Sequence, residues 1–389
     1  MTAPRVCWII AGFALGAVVA RGDTLRITAD GWIDPTGKLV KGPVAVEVAD
    51  GYFKAAPAPI EPGSPVADKT TTYEGAILCP GLVDVSAALG ALSQLTEDAD
   101  SFQPDLTTRD AFDRFGPRLH RALEAGVTTF GLAPDDQNVI GGRIAVCKTF
   151  GEDGKPRVID AYGPLKLSLS PAVFQRDRAP TSRSGALGML THAVDGAHHK
   201  ATTAQDDDPK DALMLFSYGA LQGVISAPSA ADVLYALDLQ SRYGLKLVIA
   251  HTMDAFETAD LLGKAEATVI VGPLTWSSTE REQRAPGLLS KAGADVVVAG
   301  GLPLAPANAL RIGASLASRC GLELNAARRA ITIEPARALR IDDRVGSIQG
   351  GRSADFVVFS GDPLDLRSRV LAVYVDGAPA FVAPKQDVE

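Results

Sequence analysis

The alternation of apolar and polar residues divides the chain into three parts. From residue 23 to about 76, short runs carry apolar side chains at every second position, as in residues 43–48, and are broken by Gly, Pro and Asp. From 77 to about 342, continuous apolar runs alternate with amphipathic stretches of helical period, and beyond 343 the short alternating runs return. Period-two runs predict half-buried strands, whereas continuous apolar runs between helices predict strands that are buried on both faces.

The middle part predicts a parallel sheet that is covered by helices on both sides. Its strands are predicted at 77–83, 127–132, 165–168, 223–226, 247–250, 267–271 and 296–299, and helices at 110–124, 230–241, 255–264 and 307–320. About eight such units are the content of a (β/α)8 TIM-like barrel. A doubly wound open sheet is the alternative, but no Gly-x-Gly-x-x-Gly follows the first strand, so its nucleotide-binding version lacks its motif.

The two outer parts predict one small domain that is built from both ends of the chain. Asp50-Gly51 and Asp376-Gly377 are hairpin turn signals within short strand patterns. We therefore predict a composite β-sandwich domain from residues 23–76 and 343–383, with the barrel of residues 77–342 inserted into it. The expected fold class is α/β.

Residues 1–20 are predicted to be a signal peptide. Arg5 precedes an apolar run over residues 6–20, which is short for a membrane span and ends before the polar Arg21. An uncleaved anchor is the alternative. We expect a secreted or periplasmic protein with no membrane attachment after cleavage.

Charge and cysteine content exclude several classes. A net charge of −8 and a pI near 5.3 in a chain of 389 residues argue against a nucleic-acid partner, which would favour a basic face. Outside the signal peptide, Cys79, Cys147 and Cys320 are too widely spaced for a disulfide framework or a C-x-x-C metal site. Cys79 and Cys147 lie in apolar runs and are predicted to be buried.

Several ordered motifs resemble the amidohydrolase superfamily. Residues 80–84 (Pro-Gly-Leu-Val-Asp) are similar to its first barrel strand, and residues 346–364 resemble its C-terminal Gly-Ser-Ile, Ala-Asp-Phe-Val-Val and Asp-Pro-Leu signature. Residues 165–170 and 180–185 are similar to an imidazolonepropionase-like branch. The resemblance implies hydrolysis of non-peptide C–N bonds in cyclic or linear amides, by water that one or two divalent metals activate at the C-terminal mouth of the barrel.

The positions of the metal shell depart from that family pattern. Where relatives carry two histidines on the first strand, one on the fifth and an aspartate on the last, this chain has Ser86 and Ala88, then Ser226 or Pro228, then Gly301. The resemblance retains two positions, Lys166 on the fourth strand and His251 on the sixth. In two-metal relatives that lysine is carboxylated and bridges the ions.

One imidazole and one amine are too few donors to hold zinc. We therefore predict a degenerate metal site, no resident cofactor and no catalytic residue. The protein would bind a small molecule at the barrel mouth, or associate as a homo- or hetero-oligomer with an active relative. The alternative is an active C–N hydrolase with a rearranged single-metal site, with zinc for example, that uses His251, Lys166 and Asp84. The sequence names no substrate, partner or oligomeric state.

Three further interpretations concern individual side chains. Lys166 is expected to pair with a neighbouring acid such as Asp232 or with an anionic ligand, and Asp84 to orient backbone at the strand end. Three histidines and an acidic run could imitate a metal site: His192, His198 and His199, and Asp206 to Asp208. However, residues 201–208 are interpreted as a solvated, flexible insertion between barrel elements.

Overall fold

The computed structural model describes residues 24–60, 68–91, 94–203 and 211–384. The predicted signal peptide of residues 1–20 lies outside these residues. Within the described ranges, no helix is both long and apolar enough to cross a membrane.

Strands and helices alternate through the middle of the chain, as expected. The strands are β1 Leu25–Ile33, β2 Leu39–Ala49, β3 Tyr52–Phe53, β4 Ala58–Pro59, β5 Lys69–Tyr73, β6 Ile77–Pro80, β7 Leu82–Ala87, β8 Val127–Leu132, β9 Ile140–Arg143, β10 Ala145–Lys148, β11 Arg157–Asp160, β12 Leu165–Ser168, β13 Gln222–Ser226, β14 Lys246–Ala250, β15 Thr268–Val271, β16 Asp295–Val298, β17 Phe356–Phe359, β18 Val370–Val375 and β19 Ala378–Val382. The α-helices are α1 Pro117–Glu124, α2 Arg183–Thr203, α3 Ala212–Ser217, α4 Ala230–Tyr243, α5 Ala255–Lys264, α6 Glu280–Ala292, α7 Ala309–Arg319, α8 Leu324–Arg329 and α9 Ile333–Ala338.

Both ends of the chain contribute to one nine-stranded sheet. Its main path is β19-β18-β17-β6-β1-β2-β3, with β4 added to β2 and β5 added to β1. The hairpins at Asp50-Gly51 and Asp376-Gly377 join β2 to β3 and β18 to β19. The sheet is not antiparallel throughout, because β5 and β6 both run parallel to β1.

The predicted strand 77–83 is split between the two parts of the molecule. Residues before Gly81 form β6 and pair with β17 in the nine-stranded sheet, whereas β7 pairs with β8 in the barrel. Gly81 lies against Thr128, whose Oγ1 would be 2.1 Å from an added Cβ. The close approach requires glycine at the point where the chain passes from the sheet into the barrel.

The middle of the chain forms a TIM-barrel-like ring of strands that helices surround. One sheet has the order β11-β10-β8-β7 and the other β16-β15-β14-β13-β12-β9. The strand ladder is not continuous around the ring. At one junction, residues 330–331 bridge the edges, since Val83 N donates to Ile331 O and Val298 N to Ala330 O.

One position of the ring departs from the predicted all-parallel sheet. β10 runs antiparallel to β8, and β9 runs antiparallel to β12. A parallel neighbour needs a crossover of a dozen or more residues. Only residues 133–139 separate β8 from β9, so the chain turns straight back.

Two helices also differ from their predictions. The stretch 110–124 is broken into a 3₁₀ turn, Thr108–Ala111, and α1, which begins with Pro117 at its first position. Proline suits the first turn of a helix, because the N–H it lacks has no partner there. The residues 201–203, interpreted as part of a flexible insertion, are the last residues of α2. The acidic residues 206–208 lie outside the described ranges.

Alternation along the barrel strands separates two hydrophobic cores. Val83, Val85, Val224 and Val248 belong to a cluster inside the ring, which α9 closes at one end. Leu82 points the other way and packs against the helices. On the other strands, the residues that alternate with the interior positions do the same. Both faces are therefore apolar, which explains the continuous apolar runs. Cys79 and Cys147 are buried and free, as predicted.

Candidate functional site

Polar side chains gather where adjacent barrel strands end. Lys166 lies in β12, Ser226 is the last residue of β13, and His251 directly follows β14. These strands are parallel neighbours, with Ser168 opposite Ser226 and Ser226 opposite Ala250. Parallel strands end at the same edge of a sheet, so the three side chains meet at the barrel mouth.

The Lys166 ammonium group lies at the centre of this cluster. Its Nζ is 2.5 Å from Asp136 Oδ1, and it donates to Ser226 Oγ at 2.7 Å and to the Leu167 carbonyl oxygen at 3.3 Å. Three acceptors match the three protons of an ammonium group. The side chain is 4% exposed, so the ion pair is nearly enclosed.

Asp136 is the carboxylate that sequence reasoning missed. Its Oδ1 accepts from Ser226 Oγ at 2.5 Å, and its Oδ2 is 2.9 Å from His251 Nδ1. Burial raises the pKa of this carboxyl, but Lys166 and His251 outweigh burial and hold the pKa well below its ordinary range. The signal in the sequence was an acidic pair after a barrel strand, Asp135-Asp136 beyond β8, a position where functional groups of this fold concentrate.

His251 adopts an uncommon backbone conformation. Its φ of 58° lies in the left-handed region, which a residue with a Cβ seldom adopts. Its side chain is 38% exposed, and Nδ1 is 3.0 Å from Ser226 Oγ as well as near Asp136. Strained backbone of this kind concentrates at binding and active sites.

Two clefts open at the mouth, and they share Asp136 and His251. The larger has a volume of about 630 Å³ and runs between these residues and the start of α6. The smaller, of about 410 Å³, extends over the ends of β7 and β16 and includes Lys166. Clefts of this size accommodate small organic molecules.

The structure places the other residues of the family's metal shell around the same mouth. Ser86, Ala88 and Gly301 line the smaller cleft together with Lys166 and His251. Ser226 bonds to Lys166, whereas Pro228 lines the larger cleft. The positions named from the sequence thus converge, although most carry no strong metal ligand.

Asp84 does not join this cluster. Val83 and Val85 face the barrel interior, so Asp84 faces outward, where Oδ1 accepts from Gly300 N at 3.1 Å. Its Oδ2 is buried without a hydrogen-bond partner. Burial raises the pKa of Asp84 to about 7, against the opposing effect of the Gly300 and Ser86 N–H groups. It binds the backbone N–H groups of Gly300 and Ser86, and no hydrogen bond or ion pair within the described residues joins it to His251 or Lys166.

One expectation about Lys166 is corrected. Asp232 does not pair with Lys166: it caps α4 with Ser229 and forms an ion pair with Arg183 at 2.8 Å. His198 and its neighbours lie on α2, where His198 Nδ1 is 2.9 Å from the Ser217 carbonyl oxygen. His192 and His199 lie on the same helix.

The residues at the mouth do not fit a divalent metal. In the part of the chain that the structure describes, no group of three or more His, Cys, Asp or Glu side chains could hold one. A lysine ammonium already lies against Asp136 Oδ1, where a second cation would be repelled. Carboxylation of Lys166 would replace this ammonium group with an anion beside the Asp136 carboxylate, an arrangement that needs a cation to balance it.

A mixed α/β ring with a side sheet and a polar cluster at its mouth defines a TIM-barrel-like scaffold. Residues 306–381 match the model of the amidohydrolase family. Amidohydrolase tasK from Hapsidospora irregularis is 22% identical over 376 residues; the match covers 83% of this chain but only 38% of tasK. These matches make the chain similar to amidohydrolases and support an origin in that superfamily.

Solved structures agree with this assignment. An amidohydrolase from Thermotoga maritima MSB8 is 25% identical, with a TM-score of 0.80 over 92% of this chain and 100% of the other. An adenosine deaminase from Xanthomonas campestris with bound zinc shares the fold at 19% identity, with a TM-score of 0.55 over 93% of each chain.

Proposed function

We propose that this protein is a catalytically silent amidohydrolase-superfamily member that binds a small molecule at the barrel mouth without a divalent metal. The superfamily's hydrolysis of C–N bonds depends on water that a metal activates. A site that offers no open coordination position and carries its own cation lacks that means of activation.

The observation that supports this proposal is the position of the Lys166 ammonium group. It is bound to Asp136, Ser226 and the Leu167 carbonyl oxygen, and so occupies the acceptors that could otherwise face a metal. The ion pair balances its own charge in a nearly enclosed setting. Displacing it for a metal would cost the buried pair and leave the ammonium group beside a second cation.

Metal analysis of the purified protein tests this proposal. We expect far less than one equivalent of zinc, manganese or iron per chain after dialysis against metal-supplemented buffer, and no rise in unfolding temperature on adding each metal. Amide and cyclic-amide hydrolysis should stay at the level of a denatured control. One tightly held metal per chain, together with turnover that a chelator abolishes, would contradict the proposal and favour the single-metal hydrolase.

We also propose that the protein acts outside the cytoplasm, in the periplasm or the extracellular medium, and that it assembles with itself or with an active relative. The apolar run of residues 6–20 supports export. The sequence that Edman degradation of the mature chain gives should begin near residue 21, and a full-length chain in the membrane fraction would contradict cleavage.

Light scattering of the purified protein, alone and with an active relative, tests assembly. A monomer in both measurements would contradict it.

A further inference from the structure

The side chain of His251 lines both clefts at the mouth. Its Nδ1 is hydrogen-bonded to Asp136 Oδ2 at 2.9 Å and lies 3.0 Å from Ser226 Oγ. Within the described part of the chain, no hydrogen bond joins Nε2 to another residue. The ring is therefore held through Nδ1, and its Nε2 remains free to bind a ligand.

The hydrogen bonds around Asp136 determine which nitrogen carries the proton. Oδ1 receives the Lys166 ammonium and the Ser226 hydroxyl, as an ionised carboxylate does. An ionised carboxylate accepts and never donates, so the bond to His251 requires a proton on Nδ1. In the neutral imidazole, Nε2 then holds a lone pair and accepts a hydrogen bond.

The rest of the larger cleft is mainly apolar. Met253 and Phe256 line the cleft and are 73% and 41% exposed, and Ile270, Pro273 and Leu274 line it as well. Arg281 and Glu282 add charged groups where α6 begins. Exposed large apolar side chains in a concave setting are typical of small-molecule sites. These side chains suit a ligand with an apolar body. His251 Nε2 can accept a hydrogen bond from a donor group on that ligand.

We propose that the larger cleft binds a neutral ligand with an aromatic or aliphatic body and a weakly acidic hydrogen-bond donor, such as a phenol, which donates to His251 Nε2. This inference rests on the proposed function, because it names the ligand class of the same mouth. A carboxylate would be disfavoured, since its oxygens accept hydrogen bonds and would meet the lone pair of Nε2.

Three naphthalene probes test the inference by fluorescence titration at pH 7. 2-Naphthol carries the donor, 2-methoxynaphthalene replaces it with a methyl ether, and 2-naphthoate replaces it with an anion. We expect 2-naphthol to bind about 10-fold more tightly than the ether, the effect of one hydrogen bond, and 2-naphthoate to bind least well.

Matched variants locate the effect. His251→Phe should reduce the affinity for 2-naphthol to that of the ether, whereas His120→Phe, at the exposed histidine of α1, should change neither affinity. His251→Leu serves as a second variant if the phenylalanine variant unfolds. It also removes the acceptor, and it should likewise abolish the 10-fold preference.

The outcomes distinguish this inference from the proposed function. Equal binding of 2-naphthol and the ether to the wild type would overturn the inference and leave ligand binding at the mouth intact. Tightest binding of 2-naphthoate would place the proton on Nε2 and would also overturn it. Failure of all three probes to bind folded protein would contradict both. Nitrogen-15 NMR of the His251 ring should show the Nδ1–H tautomer, and the Nε2–H form would contradict the inference directly.

Discussion

Two lysine–aspartate clusters in this molecule have nearly the same parts and different surroundings. At the barrel mouth, Lys166 pairs with Asp136, and Ser226 bridges them. At the junction between barrel and sheet, Lys148 of β10 lies 2.9 Å from Asp355 and 2.5 Å from Asp376. There a serine also bridges, since Ser353 Oγ accepts from Lys148 and donates to Asp376.

The junction cluster is a closed network. The side chains of Lys148 and Asp355 are 2% and 1% exposed, and Arg157 reaches Asp376 from the surface at 2.8 Å. Two cations meet two carboxylates, so the formal charges cancel. Burial raises the pKa of Asp355, and this effect outweighs the attraction of Lys148. The cluster joins the barrel to the sheet domain, and none of its side chains lines either of the two clefts described at the mouth.

The mouth cluster is balanced as well, but it carries an extra imidazole at its open side. His251 is 38% exposed, whereas Lys166 beneath it is 4% exposed. A buried ion pair therefore does not by itself indicate a binding site. What distinguishes the mouth is a polar atom that remains available beside a cleft, on a scaffold that the ion pair holds in place.

The largest expected effect comes from Lys148→Met, which opens the closed network. Removal of one partner leaves Asp355 and Asp376 without their buried cation, so the free energy of unfolding should fall by about 3 to 5 kcal/mol. Urea denaturation measures the change. Arg157→Met is the control, because its exposed pair with Asp376 should be worth less than about 1 kcal/mol. Equal effects of the two variants would show that the junction is not a closed network.

Lys166→Met should destabilise the protein less, by about 2 to 3 kcal/mol, because Asp136 is 22% exposed and water can partly replace the lost cation. Urea denaturation again gives the value. The double variant Lys166→Met with Asp136→Asn should recover at least half of the loss, since it also removes the unpaired charge. No recovery in the double variant would indicate that lost packing, and not the ion pair, explains the effect.

Asp84 shows what burial does to a carboxylate that no lysine neutralises. Its pKa is raised to about 7 in the folded protein, against about 4 in an unfolded chain. Its contribution to stability is therefore fully present below about pH 4 and is lost as the pH rises through about 7. Asp84→Asn stays neutral, so at pH 8 we expect it to be more stable than the wild type by about 1 to 3 kcal/mol.

Urea denaturation at pH 4, 6 and 8 measures this dependence. The advantage of Asp84→Asn should nearly disappear at pH 4, where the wild-type side chain is protonated in the folded protein and about half protonated in the unfolded chain. Asp260→Asn, at an exposed position of α5, is the control and should show no such trend. A variant that is less stable than the wild type at every pH would contradict the assignment of a buried, uncompensated carboxylate to Asp84.

Much of the barrel could be predicted from the sequence, because its strands are buried on both faces. β8 and β12 have the predicted bounds, as does α5, since uninterrupted apolar runs and a clear helical period leave little ambiguity. The antiparallel β9 and β10 could not be predicted in the same way. Their apolar content is that of a barrel strand, and only the short connection after β8 determines their direction.

The mouth could be predicted in part. The resemblance to amidohydrolases points to Lys166 and His251, but their partner Asp136 lies on a loop whose path no periodicity describes. Asp232 was a plausible partner in sequence, yet it lies at the start of α4, where capping and Arg183 occupy it. Which charges meet depends on loop geometry, and a single sequence carries little information about it.

The two bridging serines allow the finest test of the comparison. Ser226 Oγ is 2.7 Å from Lys166 Nζ and 2.5 Å from Asp136, whereas Ser353 Oγ is 3.1 Å from Lys148 and 3.2 Å from Asp376. Shorter hydrogen bonds to charged groups are the stronger ones.

Ser226→Ala should therefore cost about 1 to 2 kcal/mol of unfolding free energy and Ser353→Ala about 0.5 to 1 kcal/mol, both measured by urea denaturation. The first variant should also loosen the His251 ring, which the second should leave unchanged, and line broadening of the ring signals in NMR reports this. A larger cost for Ser353→Ala would reverse the order of the two clusters. The junction, not the mouth, would then depend more on its bridging hydroxyl.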